Sequence, residues 1–165
     1  MSGSIFTVFS ASIKTLIENF YDLVQTANQQ LLKVRDKRLA PSKDDKIITS
    51  WNCLAINTFA EVGAVLRSEE FLGAAIKCAE FLQNNMLDKG RLLRIYRKGK
   101  PKLNAYLEDY SFFINSLLTL HSATLESKWL TSAISLADSM INLFWDPDKM
   151  TFFDTGLDHE SLILR

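Results

Sequence analysis

Two stretches of this chain superimpose when shifted by 58 residues, and that repeat restricts the fold more than any other feature of the sequence. Setting Phe71 against Trp129 (129 − 71 = 58) also sets Leu72 on Leu130, Ala75 on Ala133, Ile76 on Ile134, Ala79 on Ala137 and Asp88 on Asp146. The same shift lays Ser50-Trp51-Asn52 on Glu108-Asp109-Tyr110. Each unit reads as a helix apolar on most sides, then an amphipathic helix, then a β-prone loop. Such a unit cannot cover its own apolar surface, so it stacks on neighbours into a solenoid or a ring. An inner ring of buried helices wrapped by outer amphipathic ones accounts for the alternation, and it brings the inner helices' N-termini together at one end.

Periodicity and punctuation set the elements. Ile5–Phe9 is β-prone and predicts an extended segment over residues 1–10. Apolar residues from Ile13 to Val34 fall on one stripe and predict a helix over Ser12–Arg38, closed by Pro41. The next helix, Thr49–Leu66, has Thr49 or Ser50 as its cap, and apolar side chains cover most of its circumference, which predicts that it is buried. Ser68 caps a third helix running to about Met86, with a clean polar face. Gly90 and Gly99 bracket Leu92–Tyr96 as a turn or short hairpin. Helices over Leu107–Leu125 and Lys128–Trp145 come next, and WDPDKMTFFDTG repeats the turn-plus-β ending. The expected fold is all-α: helical-hairpin repeats forming a partial (α/α) toroid, with β-hairpin-like loops, in one domain over 1–165.

Composition excludes several classes of function. Lys+Arg 19 against Asp+Glu 19 gives a net charge of +0, which leaves no electrostatic case for nucleic acid or an anionic membrane. No apolar run reaches transmembrane length. Met1–Ser10 lacks the basic start and cleavage site of a signal peptide, so the expected location is cytoplasmic. Cys53 and Cys78 both sit in apolar helical runs and read as small core residues. No His/Cys/Asp spacing matches a metal-ligand set, no Gly-rich phosphate loop occurs, and no cofactor is expected. The basic piece Arg91–Lys102 reads as a solvated loop.

Two polar clusters stand at inner-helix N-termini. One is Asp44, Asp45, Lys46 with Ser50-Trp51-Asn52; the other is Tyr106 with Glu108-Asp109-Tyr110. Acidic residues favour the first turn of any helix, so simple capping competes with function at both places. Of the two histidines, His121 lies late in its helix, far from the N-terminal mouth, and reads as packing. His159, in DTGLDHE, reads as an exposed turn residue.

The segments DDKIITSWNCLAINTFAEVG and AYLEDYSFFINSLLTLHSATLESKWLTSAISLADSMINLFWDPDKMTFFDTG resemble the α-helical toroid region of the spermatogenesis-associated, thioredoxin-domain-bearing protein family. That region is itself similar to the (α/α)6 barrels of N-acylglucosamine 2-epimerases and six-hairpin glycosidases. The resemblance runs from about Ile5 to Arg165 and implies a fold, with a carbohydrate-related activity as a secondary expectation. The family carries an N-terminal thioredoxin-like domain and further helical hairpins that this sequence lacks, and its SWNG pattern reads Cys53 here. The chain therefore reads as a partial toroid: a fragment, a truncated paralogue, or a half completed by another chain.

Glycoside hydrolysis uses two carboxylates about 5–10 Å apart. Asp45 or Asp44 on one loop, with Asp109 or Glu108 on the next inner helix, are the candidates for that pair. Trp51, Tyr106 and Tyr110 would offer faces for a sugar, and Asn52 and Lys46 would donate hydrogen bonds. Epimerase chemistry needs a base working near neutral pH, usually histidine, and neither histidine falls in these clusters. Two classes of function remain: a carbohydrate-processing or sugar-binding toroid, and a non-catalytic scaffold that self-associates as a homo-oligomer or pairs with a partner chain to complete its ring.

Overall fold

The computed structural model describes residues 3–160. The chain divides into two compact units, Met1–Asp44 and Asp45–Arg165. The first unit holds one long helix, α1 (Gly3–Arg35). Residues 5–9 are its early turns, not the extended segment their β-propensity predicts. A β-branched or aromatic residue costs a growing helix only a few tenths of a kcal/mol, roughly, so the helical stripe beginning at Ile13 carries the helix back through them. Among the described residues this unit has no second helix against which the stripe from Ile13 to Val34 can bury.

The second unit is a pair of helical hairpins. Its elements are β1 (Ile47–Ile48), α2 (Thr49–Leu66), α3 (Glu69–Asn85), β2 (Leu87–Asp88), β3 (Arg91–Arg97), β4 (Lys100–Asn104), α4 (Leu107–Thr124), α5 (Ser127–Phe144), β5 (Trp145–Asp146) and β6 (Thr151–Phe152). The repeat read from the sequence is a structural repeat. α4, α5 and β5 each begin 58 residues after α2, α3 and β2, the same separation as the bonded pair Asn57 and Asn115. Both inner helices end on a left-handed residue, Arg67 (φ 53°) and Leu125 (φ 58°), at matching positions. α2 packs on α3 and α4, and α4 on α5. The core between them is formed by Cys53, Ile56, Ala60, Leu82, Phe113, Leu117, Trp129 and Phe144. Cys53 and Cys78 are free thiols, and burial pushes the Cys53 thiol far up, leaving it protonated and inert.

The glycine-bracketed piece is a hairpin, as expected. Gly90 (φ +85°) and Gly99 (φ +77°) take the positive-φ turns at its two ends. β3 is the central strand, pairing antiparallel with β1, β2 and β4. β1 comes from the entry to α2 and β2 from the exit of α3, so the sheet clasps both ends of the first hairpin. Ser68 caps α3 by accepting the Phe71 N–H, as its position predicts.

Two expectations about α2 change. It is buried on one face only: Trp51 is 69% exposed and Val65 80%, with Leu54 also outside. Its apolar circumference exceeds the surface that α3 and α4 cover. Neither Thr49 nor Ser50 caps it. The residue before the helix is Ile48, with no side-chain cap bond, and the Thr49 hydroxyl instead donates to the Leu93 carbonyl at 2.7 Å.

Close packing of α2 on α3 depends on Gly63, where an added Cβ would lie 2.8 Å from the Leu72 backbone nitrogen. Gly63→Ala is expected to cost about 1–3 kcal/mol through overpacking. Gly73→Ala, with open space around it, is expected to gain roughly 0.5–1 kcal/mol of helix propensity. Urea midpoints of the two variants, set against wild type, measure both.

Candidate functional site

The inner helices begin side by side beneath β3, and Asp109 joins them. Asp109 is fully buried on the first turn of α4. One carboxylate oxygen accepts the Ser50 N–H of α2 at 3.0 Å. The other accepts the Tyr106 N–H at 3.0 Å and an Arg94 guanidinium N–H at 2.8 Å. One side chain thus supplies the N-terminal cap that α2 lacks, caps its own helix, and anchors the hairpin.

Three arginines spaced three apart on β3 each take a carboxylate, so the basic run is not the solvated loop its charge predicts. Arg94 holds Glu108 at 2.8 Å as well as Asp109, and its guanidinium lies 4.7 Å from the centre of the Tyr106 ring. Burial opposes its charge, but the Glu108 hydrogen bond and the Asp109 charge outweigh that and raise its pKa. Arg97 pairs with Asp45 at the surface. Arg91 makes a two-pronged pair with Asp158 at 2.7 and 3.1 Å, and also donates to the Tyr110 hydroxyl and the Ala105 carbonyl. The hydrogen bonds from Arg91 hold the Asp158 carboxyl below its ordinary pKa.

The expected residues separate into two groups. Glu108, Asp109, Tyr106 and Trp51 gather around the start of α4 and the adjoining start of α2. Asp45 does not join them: Arg97 holds it at the surface, three residues along β3 from the Arg94 that holds Asp109. Asp44 closes the first unit, and Lys46 is exposed just before β1. Tyr110 offers no stacking face, because its ring is wholly buried and its hydroxyl accepts the Leu92 N–H at 3.0 Å. Asn52 donates back to the Ile48 carbonyl at 2.8 Å, within its own turn. Among the described residues no group of three His, Cys, Asp or Glu side chains could hold a metal ion, and no helix is long and apolar enough to cross a membrane.

His159 is the residue that sequence reasoning misplaced. It is not an exposed turn residue: its ring stacks on Tyr106, with centroids 5.2 Å apart and planes 15° from parallel. Nδ1 accepts the Gly156 N–H at 3.0 Å, which puts the ring proton of the neutral form on Nε2. Nε2 is buried and has no hydrogen-bond partner among the described residues. No local signal marks this, since the contacts that hold its segment, such as the Asp158 pair with Arg91 67 residues earlier, are distant in sequence. His121 stays at the other end of α4, its Nδ1 3.1 Å from the Glu126 carbonyl.

Known proteins of similar sequence and structure agree with this architecture. The chain is 36% identical over 147 residues to spermatogenesis-associated protein 20 of Mus musculus and 33% identical to that of Homo sapiens. It is homologous to one segment of that protein. An uncharacterized Caenorhabditis elegans protein is 30% identical over 131 residues. The match to the mouse protein takes in 83% of this chain but 19% of the relative, so the chain spans about a fifth of the length of the curated relatives it matches. No family model matches. Among solved structures, the fold is similar to a sugar epimerase from a ruminal bacterium (TM-score 0.59, 20% identity, 66% of this chain, 29% of the other). A family 76 glycoside hydrolase, a mannosidase of Bacteroides thetaiotaomicron, is similar over 71% of this chain and 35% of its own (TM-score 0.57, 18% identity). These neighbours show the α/α-toroid fold.

Loss of either pair, Arg94–Asp109 or Arg91–Asp158, has a measurable consequence. Asp109→Ala leaves the Ser50 and Tyr106 N–H groups without their acceptor and Arg94 with Glu108 alone, and is expected to cost about 2–4 kcal/mol in denaturant unfolding. Asp158 has a depressed pKa, so its share of stability is present above the unfolded carboxyl pKa and is lost as pH falls through the lower folded one. Acid is therefore expected to release residues 154–158 first. Amide exchange of Leu107 and Leu157, whose N–H groups donate to the Asp154 and Leu143 carbonyls, reads that release.

Proposed function

We propose that this chain supplies part of a carbohydrate-binding site in an α/α toroid, at the end where α2 and α4 begin. One observation carries the reading. An exposed tryptophan and a half-exposed carboxylate flank the Ser50–Asp109 hydrogen bond that joins the two inner helices. Trp51 is 69% exposed, and the Glu108 side chain is 46% exposed while held by Arg94. An aromatic face beside an oriented carboxylate–guanidinium pair suits a neutral polyol, which stacks its C–H face and exchanges hydrogen bonds through its hydroxyls. Glu108 faces the ligand in this reading, and Asp109 positions it through Arg94. The sugar-related names of the structural neighbours support the substrate class. A catalytic role for Glu108 or Asp109, with Asp45 as a more distant candidate, belongs to the same proposal.

One observation favours the scaffold reading. Asp109, the carboxylate most central to the mouth, is buried with both oxygens engaged, which is what a purely architectural residue requires. Calorimetric titration with D-mannose and a mannobiose separates the two. Binding that weakens at least about tenfold (about 1.4 kcal/mol) in Trp51→Ala and in Glu108→Gln, and is unchanged in Gly73→Ala, supports the site. No heat from either sugar, or binding indifferent to both site variants, leaves the scaffold reading.

A further inference from the structure

Adjacent basic residues occur twice in the chain, as Lys37-Arg38 and as Arg97-Lys98. An endoprotease that reads such a pair takes its substrate as an extended strand, through backbone N–H and C=O groups on both sides of the bond it cuts. The two pairs carry the same charge but differ in access. Arg97 and Lys98 lie at the β3–β4 turn, where Arg97 is set opposite Lys100 and positive φ angles at Lys98 (50°) and Gly99 (77°) reverse the chain. Extending that backbone would take apart the sheet that clasps the first helical hairpin.

Lys37-Arg38 stands at the end of α1. The N–H groups of Asp36, Lys37 and Arg38 donate to the Leu32, Val34 and Arg35 carbonyls at 2.8, 3.3 and 2.9 Å, and a terminal turn of this kind opens at little cost. No helix or strand follows until β1. Residues 33 to 46 are all exposed, Leu39 completely. Among the described residues, Leu39, Ala40, Ser42 and Lys43 make no hydrogen bond or ion pair. Pro41 biases Ala40 toward the extended conformation a protease accepts. Arg35 adds a third cation, paired only with the neighbouring Asp36 at 3.4 Å, both side chains 68% exposed.

We propose that the Arg38–Leu39 peptide bond is a processing site for an endoprotease that reads paired basic residues, with Arg35, Lys37 and Arg38 as the residues read. Water adds to the Arg38 carbonyl and the C–N bond to Leu39 breaks, which leaves a carboxylate on Arg38 and a free amino group on Leu39. The cut severs α1 and leaves the second unit whole, because that unit begins at Asp45.

The test treats the full chain with a kexin-type endoprotease, which cuts after paired basic residues, and reads the products by intact-mass spectrometry. Residues 1–38 and 39–165 are the expected products, with no cut after Lys98. A peptide of residues 93–104 is expected to be cut after Lys98, because there the hairpin no longer protects the pair. Lys37→Ala is expected to slow the kexin-type cut at least about tenfold and to leave the first trypsin cut after Arg38, which needs one basic residue, at its wild-type rate. Circular dichroism checks that the variant keeps its helices. A chain left intact at an enzyme ratio that cuts a peptide of residues 33–44 overturns the proposal, as does a first cut after Lys98. So does a Lys37→Ala chain cut as fast as wild type. A 93–104 peptide that resists cutting overturns the role given to the fold in choosing between the pairs.

Discussion

The second unit depends on one buried carboxylate. Asp109 gathers an N–H from the start of α2, an N–H from the start of its own helix, and the Arg94 guanidinium from the intervening hairpin. Removing a carboxylate from water costs several kcal/mol, roughly, and only a full set of donors with a paired cation offsets it. The arrangement is therefore close to all-or-none. α2, β3 and α4 are held in one register, or Asp109 is left as an unpaired buried charge. The apolar core supplies most of the driving force for association of these helices, but it tolerates small slips along a helix axis. Three hydrogen bonds to two oxygens do not.

β3 extends that logic from the core to the surface. Its arginines pair with Asp158, with Asp109 and Glu108, and with Asp45, which come from the segment after β6, from α4 and from the segment before β1. The strand therefore ties together parts of the chain far apart in sequence, at the end where the inner helices begin. Among the groups it leaves accessible there are Glu108 and Trp51. They stand on a base fixed by these ion pairs.

Much of the fold was legible in the sequence, because the 58-residue repeat and the helical periods depend on local residue spacing. Four of the five helices lie within a residue or two of their predicted bounds, and the glycine-bracketed hairpin forms where its turns predict. The misreadings share a cause. Ile5–Phe9 is β-prone alone but helical in continuity with the rest of α1. Ser50 looks like a cap, but a residue from another helix does the capping. His159 looks like a turn residue, but contacts distant in sequence, among them an ion pair between residues 67 apart, hold it against Tyr106. In each case a contact distant in sequence, or the cooperativity of a long helix, overrode the local signal.

The same division holds for the site. The sequence by itself determined that two inner helices would present polar N-termini at one end, because the repeat carries both clusters in register. Only the tertiary structure decided the roles within them. It placed Asp109 inside and Glu108 outside, since neighbours in a helix differ by about 100° and only one could face α2. It also sank Tyr110 into the core and paired Asp45 with Arg97 at the surface. Burial and pairing depend on which surfaces meet, and a residue's own neighbours in sequence do not carry that information.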